Sequence, residues 1–430
     1  MRMWNGLVKS VVISTTLWSQ LAWSISKEME ALVRMEVHSN AVATRSNQFT
    51  RIEHFEIPLE LVEKDIAERA NKGFIDSMIF ERDGKKYVRW VINPEDTKWY
   101  KEVEKFLLQN NIQPVRKTHF VGYMTASRSY IVVDPKTGAE FSIKMSTDRT
   151  GGNWRDKQQT WDDAKQIRMM TDFVDQQVKT QPKLKNIILL DEPMAFGIKS
   201  IDQAMVIRSY EALKGTGKRY VPGFSIMHEN FGKKLALANG NTDVAAYWER
   251  NYNRPLARAL AEFFALSGMT YDSPHSQNFL VELDSKNKPT GKIVLRDFGD
   301  TYLNKEFFQA VGRNDILTAW EQSNIKQGYI PAAVGILHGN KAPSWMEMNA
   351  TYDIPTKDSY NQWGKEFFFE FGQEIEKQTG VKLTASAPRR SGNYVQSALS
   401  TADGPGFAFL NLVKNGQQRD HVAGLCANLF

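Results

Sequence analysis

The sequence predicts an α+β fold. Three observations carry this. Two strand–turn–strand patterns stand far apart in the chain, Tyr130–Met145 and Phe279–Leu295. Between and before them run long segments with apolar residues at helical spacing. After Gly299 the chain turns mostly helical and aromatic.

The length of 430 residues allows two or three domains around well-filled cores. A hydrophobic fraction of 42% with 24% charged residues describes a globular chain and excludes a disordered or fibrous one. Residues 1–24 read as a secretory signal. Arg2 and Lys9 come without an acid, an uncharged apolar run follows, and Ala22-Trp23-Ser24 places cleavage after Ser24. An uncleaved anchor is the other reading of this segment. Removing Arg2 and Lys9 takes the net charge from +6 to +4, too mild to point to nucleic acid. The one cysteine, Cys426, excludes a disulfide scaffold and a cysteine metal cluster. The expected location is exported, periplasmic or secreted, with no later segment apolar enough to span a bilayer.

In chain order, Pro58 to Lys72 reads as helix-like and Tyr87 to Ile92 as a strand. It runs into the turn Asn93-Pro94-Glu95-Asp96. Trp99, Val103, Phe106 and Leu107 fall at helical spacing within Lys98 to Asn110 and predict a core-facing helix. The first hairpin is Tyr130-Ile131-Val132-Val133, a Pro/Gly turn, and Glu140 to Met145. A helix is expected over Trp161 to Val178, a buried strand over Asn186 to Leu190, and another strand over Tyr220 to His228. One long helix is expected over Val244 to Leu266. The second hairpin follows. Helices over Lys305 to Val311, Asp315 to Ser323 and Tyr360 to Thr379 precede a Ser/Gly/Ala/Pro-rich stretch, Pro388 to Gly406, read as a loop.

The second hairpin is flanked by His275-Ser276-Gln277-Asn278 on one side and Arg296-Asp297-Phe298-Gly299-Asp300 on the other. Strand pairing would bring Asn278 and Asp297 together. An amide oxygen beside a carboxylate suits Mg²⁺ on a nucleotide phosphate. A surface hairpin with polar ends is the bland alternative. The first hairpin adds Lys144 on a strand, with Arg128 just before it. A lysine facing a metal-binding Asn and Asp is what phosphate-transferring sites need, although a strand lysine more often faces solvent.

Other chemistries find no motif. Asp297-Phe298-Gly299 matches the metal-binding triplet of protein kinases, but no His-Arg-Asp loop or kinase-type Gly-rich loop accompanies it. His228-Glu229 lacks the second His of a zincin, and no Gly-x-Ser-x-Gly elbow, Walker loop or dinucleotide loop occurs.

The order of these pieces resembles the siderophore synthetases that work without a peptide-synthetase assembly line, the aerobactin synthetase type. That family carries Gly-Ile-x-x-Glu-x-His-x-Gln-Asn, two strands, then Arg-Asp-x-x-Gly. Gly268-Met269-Thr270-Tyr271-Asp272-Ser273-Pro274-His275-Ser276-Gln277-Asn278 is similar, with Asp for Glu and one extra residue, and Arg296-Asp297-Phe298-Gly299 follows. Upstream, Thr125-Ala126-Ser127-Arg128 and Ile143-Lys144-Met145-Ser146 match the family's Arg segment and Lys-Leu-Ser. Arg168 is the best match to a further nucleotide-holding arginine, with Arg149 and Arg155 as rivals. The family's His-Pro-x-His motif is missing, and Asn93-Pro94-Glu95-Asp96 stands where His-Pro-Trp-Gln would be.

The resemblance covers roughly residues 90–305. It implies a synthetase-like fold with a kinase-like ATP-binding palm of antiparallel strands and a mostly helical C-terminal part. The implied divisions are 25–120 as an N-terminal α/β region, 121–305 as the ATP-binding core and 306–430 as the helical region. It implies ATP and Mg²⁺ as cofactors and activation of a carboxylate as an acyl-adenylate, with an amine or hydroxyl as acceptor. By resemblance His275, Arg128 and Lys144 are catalytic. Arg128, Lys144, Arg168, His275, Gln277 and Asn278 hold the nucleotide, and Asn278 and Asp297 hold the metal. Two other functions keep the scaffold: an exported phosphoryl- or adenylyl-transferase, and a non-catalytic periplasmic protein.

Overall fold

The computed structural model describes residues 25–37, 49–125, 129–149, 156–180, 184–272, 274–335, 357–391 and 394–401, with short pieces at 343, 345–346, 348–349, 354–355, 413–414 and 417–418. Strands β1 (Phe49–Pro58), β2 (Glu63–Ile66), β3 (Ile79–Arg82), β4 (Lys85–Val91), β5 (Lys117–Met124), β6 (Ser129–Val133) and β7 (Glu140–Met145) enter the largest sheet. β8 (Ile187–Leu189) belongs elsewhere, and β9 (Met194–Ile198) and β10 (Gln203–Ser209) complete the set. The order is β2-β9-β10-β7-β6-β5-β1-β4-β3, nine strands, antiparallel throughout. This one sheet takes strands from both sides of residue 120.

The central strands are buried on both faces, which explains their near-continuous apolar sequence. Side chains alternate along a strand. Tyr130 and Val132 of β6 therefore join Phe141, Ile143 and Met145 of β7 in one core, which also holds Phe55, Trp90 and Phe106. Ile131 and Val133 point the other way, into a core with Met29, Leu32 and Val33 of helix α1 (Lys27–Val37). The same alternation puts Lys144 on the face of β7 opposite Ile143.

Helix α2 (Lys72–Met78) buries Phe74 and Met78, and α3 (Trp99–Gln109) buries Val103, Phe106 and Leu107. Helix α4 (Trp161–Thr180) lies on the Lys144 face, with Trp161, Ala164 and Ile167 packed on Ala195, Ala204 and Val206. It comes so close that a Cβ on Gly197 would sit 2.3 Å from the Trp161 ring.

A second sheet has the order β11-β13-β14-β8, with β11 (Arg219–Pro222), β13 (Phe279–Leu283) and β14 (Pro289–Leu295). The hairpin β13–β14 is antiparallel with Phe279 opposite Leu295, and β8 adds in parallel to β14. Beside it, β12 (Met269–Tyr271) pairs with β15 (Thr301–Asn304). Behind both lies α5 (Arg254–Ser267), most of it buried. Helix α6 (Lys357–Thr379) follows toward the C-terminus, and strand Tyr394–Thr401 pairs with Ile330–Ala333 and Leu383–Ala385.

Several expected elements differ. Pro58 to Lys72 is a single turn at Leu59–Leu61 followed by β2, because Glu63–Ile66 pairs with β9 and sheet pairing overrides local helical preference. Strand pairing stops at Pro222, and Gly223–Ile226 is a helical turn. The Val244–Leu266 helix is interrupted by a π-turn at Glu249–Asn253 just before Pro255, which has no N–H to continue the ladder. The expected loop after Pro388 contains strands Arg389–Ser391 and Tyr394–Thr401, and Val395 and Leu399 of the latter are buried. Small polar residues between them hid the period. Residues 1–24, the expected signal segment, lie outside the described residues. Among the described residues no helix is long and apolar enough to cross a membrane.

Candidate functional site

The two hairpins meet. Lys144 Nζ of β7 lies 2.7 Å from Asp297 Oδ1, just past β14. Both side chains are largely shielded, 12% and 17% exposed. They line a cavity of about 210 Å³ together with Gln159, Asp163, Gln166 and Ile167. Asp272, Gly299, Asp300, Trp320, Glu321 and Asn324 complete its lining.

Local structure places each group. Asp297 has φ +70°, a left-handed conformation that an aspartate tolerates better than most residues. Such conformations cost on the order of 1–3 kcal/mol and persist where the surroundings hold them. Here Phe298 anchors the turn: it is buried and stacks on Phe263 of α5 with ring centroids 5.3 Å apart. Gly299 then passes α4 so closely that a Cβ would come 2.9 Å from Ile167. The Asp-Phe-Gly triplet thus has one residue facing the cavity, one in the core and one that must lack a side chain.

Behind the pair is a second charge pair. Glu192 Oε1 accepts from Arg208 Nη2 at 2.6 Å and from Nε at 3.1 Å, and both residues are buried. Arg208 also approaches Asp297 Oδ1 at 3.8 Å. Burial works against the Arg208 charge, but Glu192 and Asp297 outweigh it and raise its pKa above the ordinary value. A line of alternating charges, Glu192–Arg208–Asp297–Lys144, therefore ends at the cavity. A largely shielded carboxylate held between two cations is preorganised to receive another charged group.

His275 caps the turn Ser276–Asn278, its Nδ1 accepting the Gln277 N–H at 3.3 Å. The Gln277 carbonyl accepts from Arg296 Nη2 at 2.7 Å, and Arg296 Nη2 also reaches Glu36 of α1 at 3.1 Å. The Arg296 N–H donates to the Asn278 carbonyl at 3.2 Å. Asn278, 6% exposed, thus sits opposite Arg296, one residue from Asp297.

The structure brings Lys144 and Asp297 together at the cavity. Asn278, His275 and Gln277 are not among the residues that line it; they lie on the turn whose Asn278 carbonyl pairs with the Arg296 N–H. Arg168 it places apart. That side chain is fully buried, donates through Nη2 to both Asp172 carboxylate oxygens at 2.8 Å and through Nη1 to the Glu192 carbonyl at 2.7 Å. It braces the segment that carries Glu192. Arg128 lies outside the described residues, as does Arg155. Sequence reasoning missed Glu192, Arg208 and Gln159. A charged Arg208 directly after the apolar run Ala204–Ile207 was the available signal for the first two.

No group of three or more His, Cys, Asp or Glu is arranged to hold a metal among the described residues. Mg²⁺ does not require one: it commonly takes one or two protein oxygens and completes its shell with phosphates and water. Asp297 offers one such oxygen at the cavity.

No family model matches the sequence, and no curated protein matches it. Among solved structures, the petrobactin biosynthesis protein AsbB from Bacillus anthracis superposes with a TM-score of 0.53 at 13% identity, over 80% of this chain and 67% of that one. Aerobactin synthetase IucC from Klebsiella pneumoniae gives 0.46 at 12% identity over 60% of this chain. The ATP-bound aerobactin synthetase IucA from the same organism gives 0.49 at 14% identity over 65%. The chain spans about half the length of these aerobactin synthetases, 51% of IucC and 54% of IucA. On the AsbB superposition and the antiparallel nine-stranded sheet, the chain shares the α+β fold of that petrobactin biosynthesis protein.

Proposed function

We propose that this chain is an ATP- and Mg²⁺-dependent enzyme of the synthetase type, which activates a carboxylate as an acyl-adenylate and passes it to an amine or hydroxyl. The observation that carries the reading is the Lys144–Asp297 pair at the cavity wall. In this reading Lys144 neutralises phosphate oxygens as pyrophosphate leaves. Asp297 would hold Mg²⁺, which supplies charge neutralisation across the phosphates.

The charge balance of the cavity supports a cation there. Asp163, Asp272, Asp297, Asp300 and Glu321 line it against one lysine. Among the described residues, five lining carboxylates outnumber Lys144 and the nearby Arg208, and they repel a bare nucleotide. A divalent ion arriving with the phosphates removes that repulsion. With a cation held by Asp297, the Lys144 ammonium would be available to the phosphate oxygens. Gly299 lets α4 and the Asp297 turn close on each other, which narrows the route for water.

Product analysis with labelled ATP and a panel of carboxylates, citrate included, tests the reading. AMP and pyrophosphate formed only with a carboxylate present support it. ADP or a labelled protein would instead make the chain a phosphoryl- or adenylyl-transferase, and no turnover with unimpaired ATP binding would make it a non-catalytic scaffold. Export rests on residues 1–24 and is part of the proposal. Cell fractionation with N-terminal sequencing of the mature chain tests it, and retention of Met1 in the cytosol overturns it.

A further inference from the structure

Gln159 is fully buried, and neither its side-chain oxygen nor its side-chain nitrogen has a hydrogen-bond partner among the described residues. Leaving both ends of a buried amide unmatched is costly, on the scale of one or more lost hydrogen bonds. Its backbone is nevertheless held firmly. The Gln159 N–H donates to Ser146 Oγ at 2.7 Å, and its carbonyl accepts from the Ala204 N–H at 2.8 Å. Ser146 follows Lys144 by one pleat repeat, so Gln159 is fixed next to the charged end of the site. The residue lines the same cavity as Lys144 and Asp297.

We propose that Gln159 reads the base of the bound nucleotide, an inference that rests on the nucleotide reading of this cavity. The chemistry of the amide selects the base over the phosphates. Phosphate oxygens only accept, so they would leave the Gln159 carbonyl unmatched and close to negative charge. A purine edge such as adenine N6–H with N7 presents one donor and one acceptor side by side, and a glutamine amide matches both. Ile167 and Trp320, which line the same cavity, supply apolar surface for a flat ring. The side chain is then unsatisfied only in the free protein, and binding supplies its partners.

The inference predicts opposite signs for stability and binding. Gln159→Leu removes two unmatched polar atoms with little change in volume, so the free protein keeps or raises its Tm. A glutamine needed for the fold would lower it. Calorimetric titration of the full chain with ATP and Mg²⁺, and separately with inorganic tripolyphosphate and Mg²⁺, reads the contact. Gln159→Leu should weaken ATP tenfold or more and leave tripolyphosphate within twofold of the wild type, and Gln159→Met should behave alike. Unchanged ATP affinity in both variants, or equal loss of ATP and tripolyphosphate, overturns the inference. Failure of the wild type itself to bind ATP would sink the nucleotide reading, a different result from a variant that binds as well as wild type.

Discussion

Lys144 and Asp297 stand 153 residues apart in sequence and 2.7 Å apart in the fold. Neither hairpin alone makes a site; the lysine comes from the large sheet and the aspartate from the smaller one. Removing the lysine leaves Asp297 with Arg208 still 3.8 Å away, so the carboxylate keeps a counter-charge. Lys144→Met is therefore expected to fold, with an unchanged far-ultraviolet spectrum, and to bind ATP with Mg²⁺ at least about tenfold more weakly, about 1.4 kcal/mol. Calorimetry on the variant checks both parts, and wild-type affinity would remove Lys144 from the site.

The Glu192–Arg208 pair should matter more to stability than to chemistry. Arg208 is 5% exposed and Glu192 0%, and breaking a pair this deep leaves one charge uncompensated. Glu192→Gln is expected to cost about 3 kcal/mol. Urea unfolding should show a lower midpoint at an unchanged slope. A midpoint equal to that of the wild type would mean the pair does not hold the fold.

Acid should weaken the large sheet through His54. Burial, with Arg89 next in weight, lowers its pKa from 6.5 to about 4; Lys117 and His119 act in the same direction and Glu56 opposes them. The folded pKa lies below the unfolded one, so on acidification the unfolded chain takes up the proton first. The stability this group contributes is present above pH 6.5 and is lost as the pH falls toward 4, about 3 kcal/mol in all. His54→Leu should flatten that part of a stability–pH curve measured by urea unfolding. An equally steep curve in the variant would assign the loss to other groups.

Gly299→Ala tests the closeness of the Asp297 turn to α4. The added Cβ would stand 2.9 Å from Ile167, too near for both to stay in place. Overpacking of this kind costs on the order of 1–3 kcal/mol. The expected outcome is a lower Tm and weaker ATP binding together, and relief of both in Gly299→Ala combined with Ile167→Val. Lack of relief would place the defect elsewhere.

The hairpin was legible because polar residues punctuate its strands: Asn278 precedes β13 and Asp297 follows β14. Lys144 stood out as a charge in an apolar strand. Arg168 did not obey the same reasoning: sequence order matched it to a phosphate contact, while the fold gives it Asp172 and the Glu192 carbonyl. Gln159 left no signal, since an unmatched amide is visible only once its surroundings are known. The strand order of the nine-stranded sheet was hidden for a related reason: pairings such as β2 with β9 and β1 with β5 join distant segments and depend on burial rather than on local pattern.

The central claim is that ATP binds with Mg²⁺ at Asp297. A thermal-shift titration of the wild type and Asp297→Ala measures it most directly. At a hundredfold excess over Kd, a ligand bound only by the native state adds about 2.7 kcal/mol. The account predicts a rise in Tm for the wild type that needs both ATP and Mg²⁺ and is absent in Asp297→Ala. No rise in the wild type, or an equal rise in the variant, would contradict it.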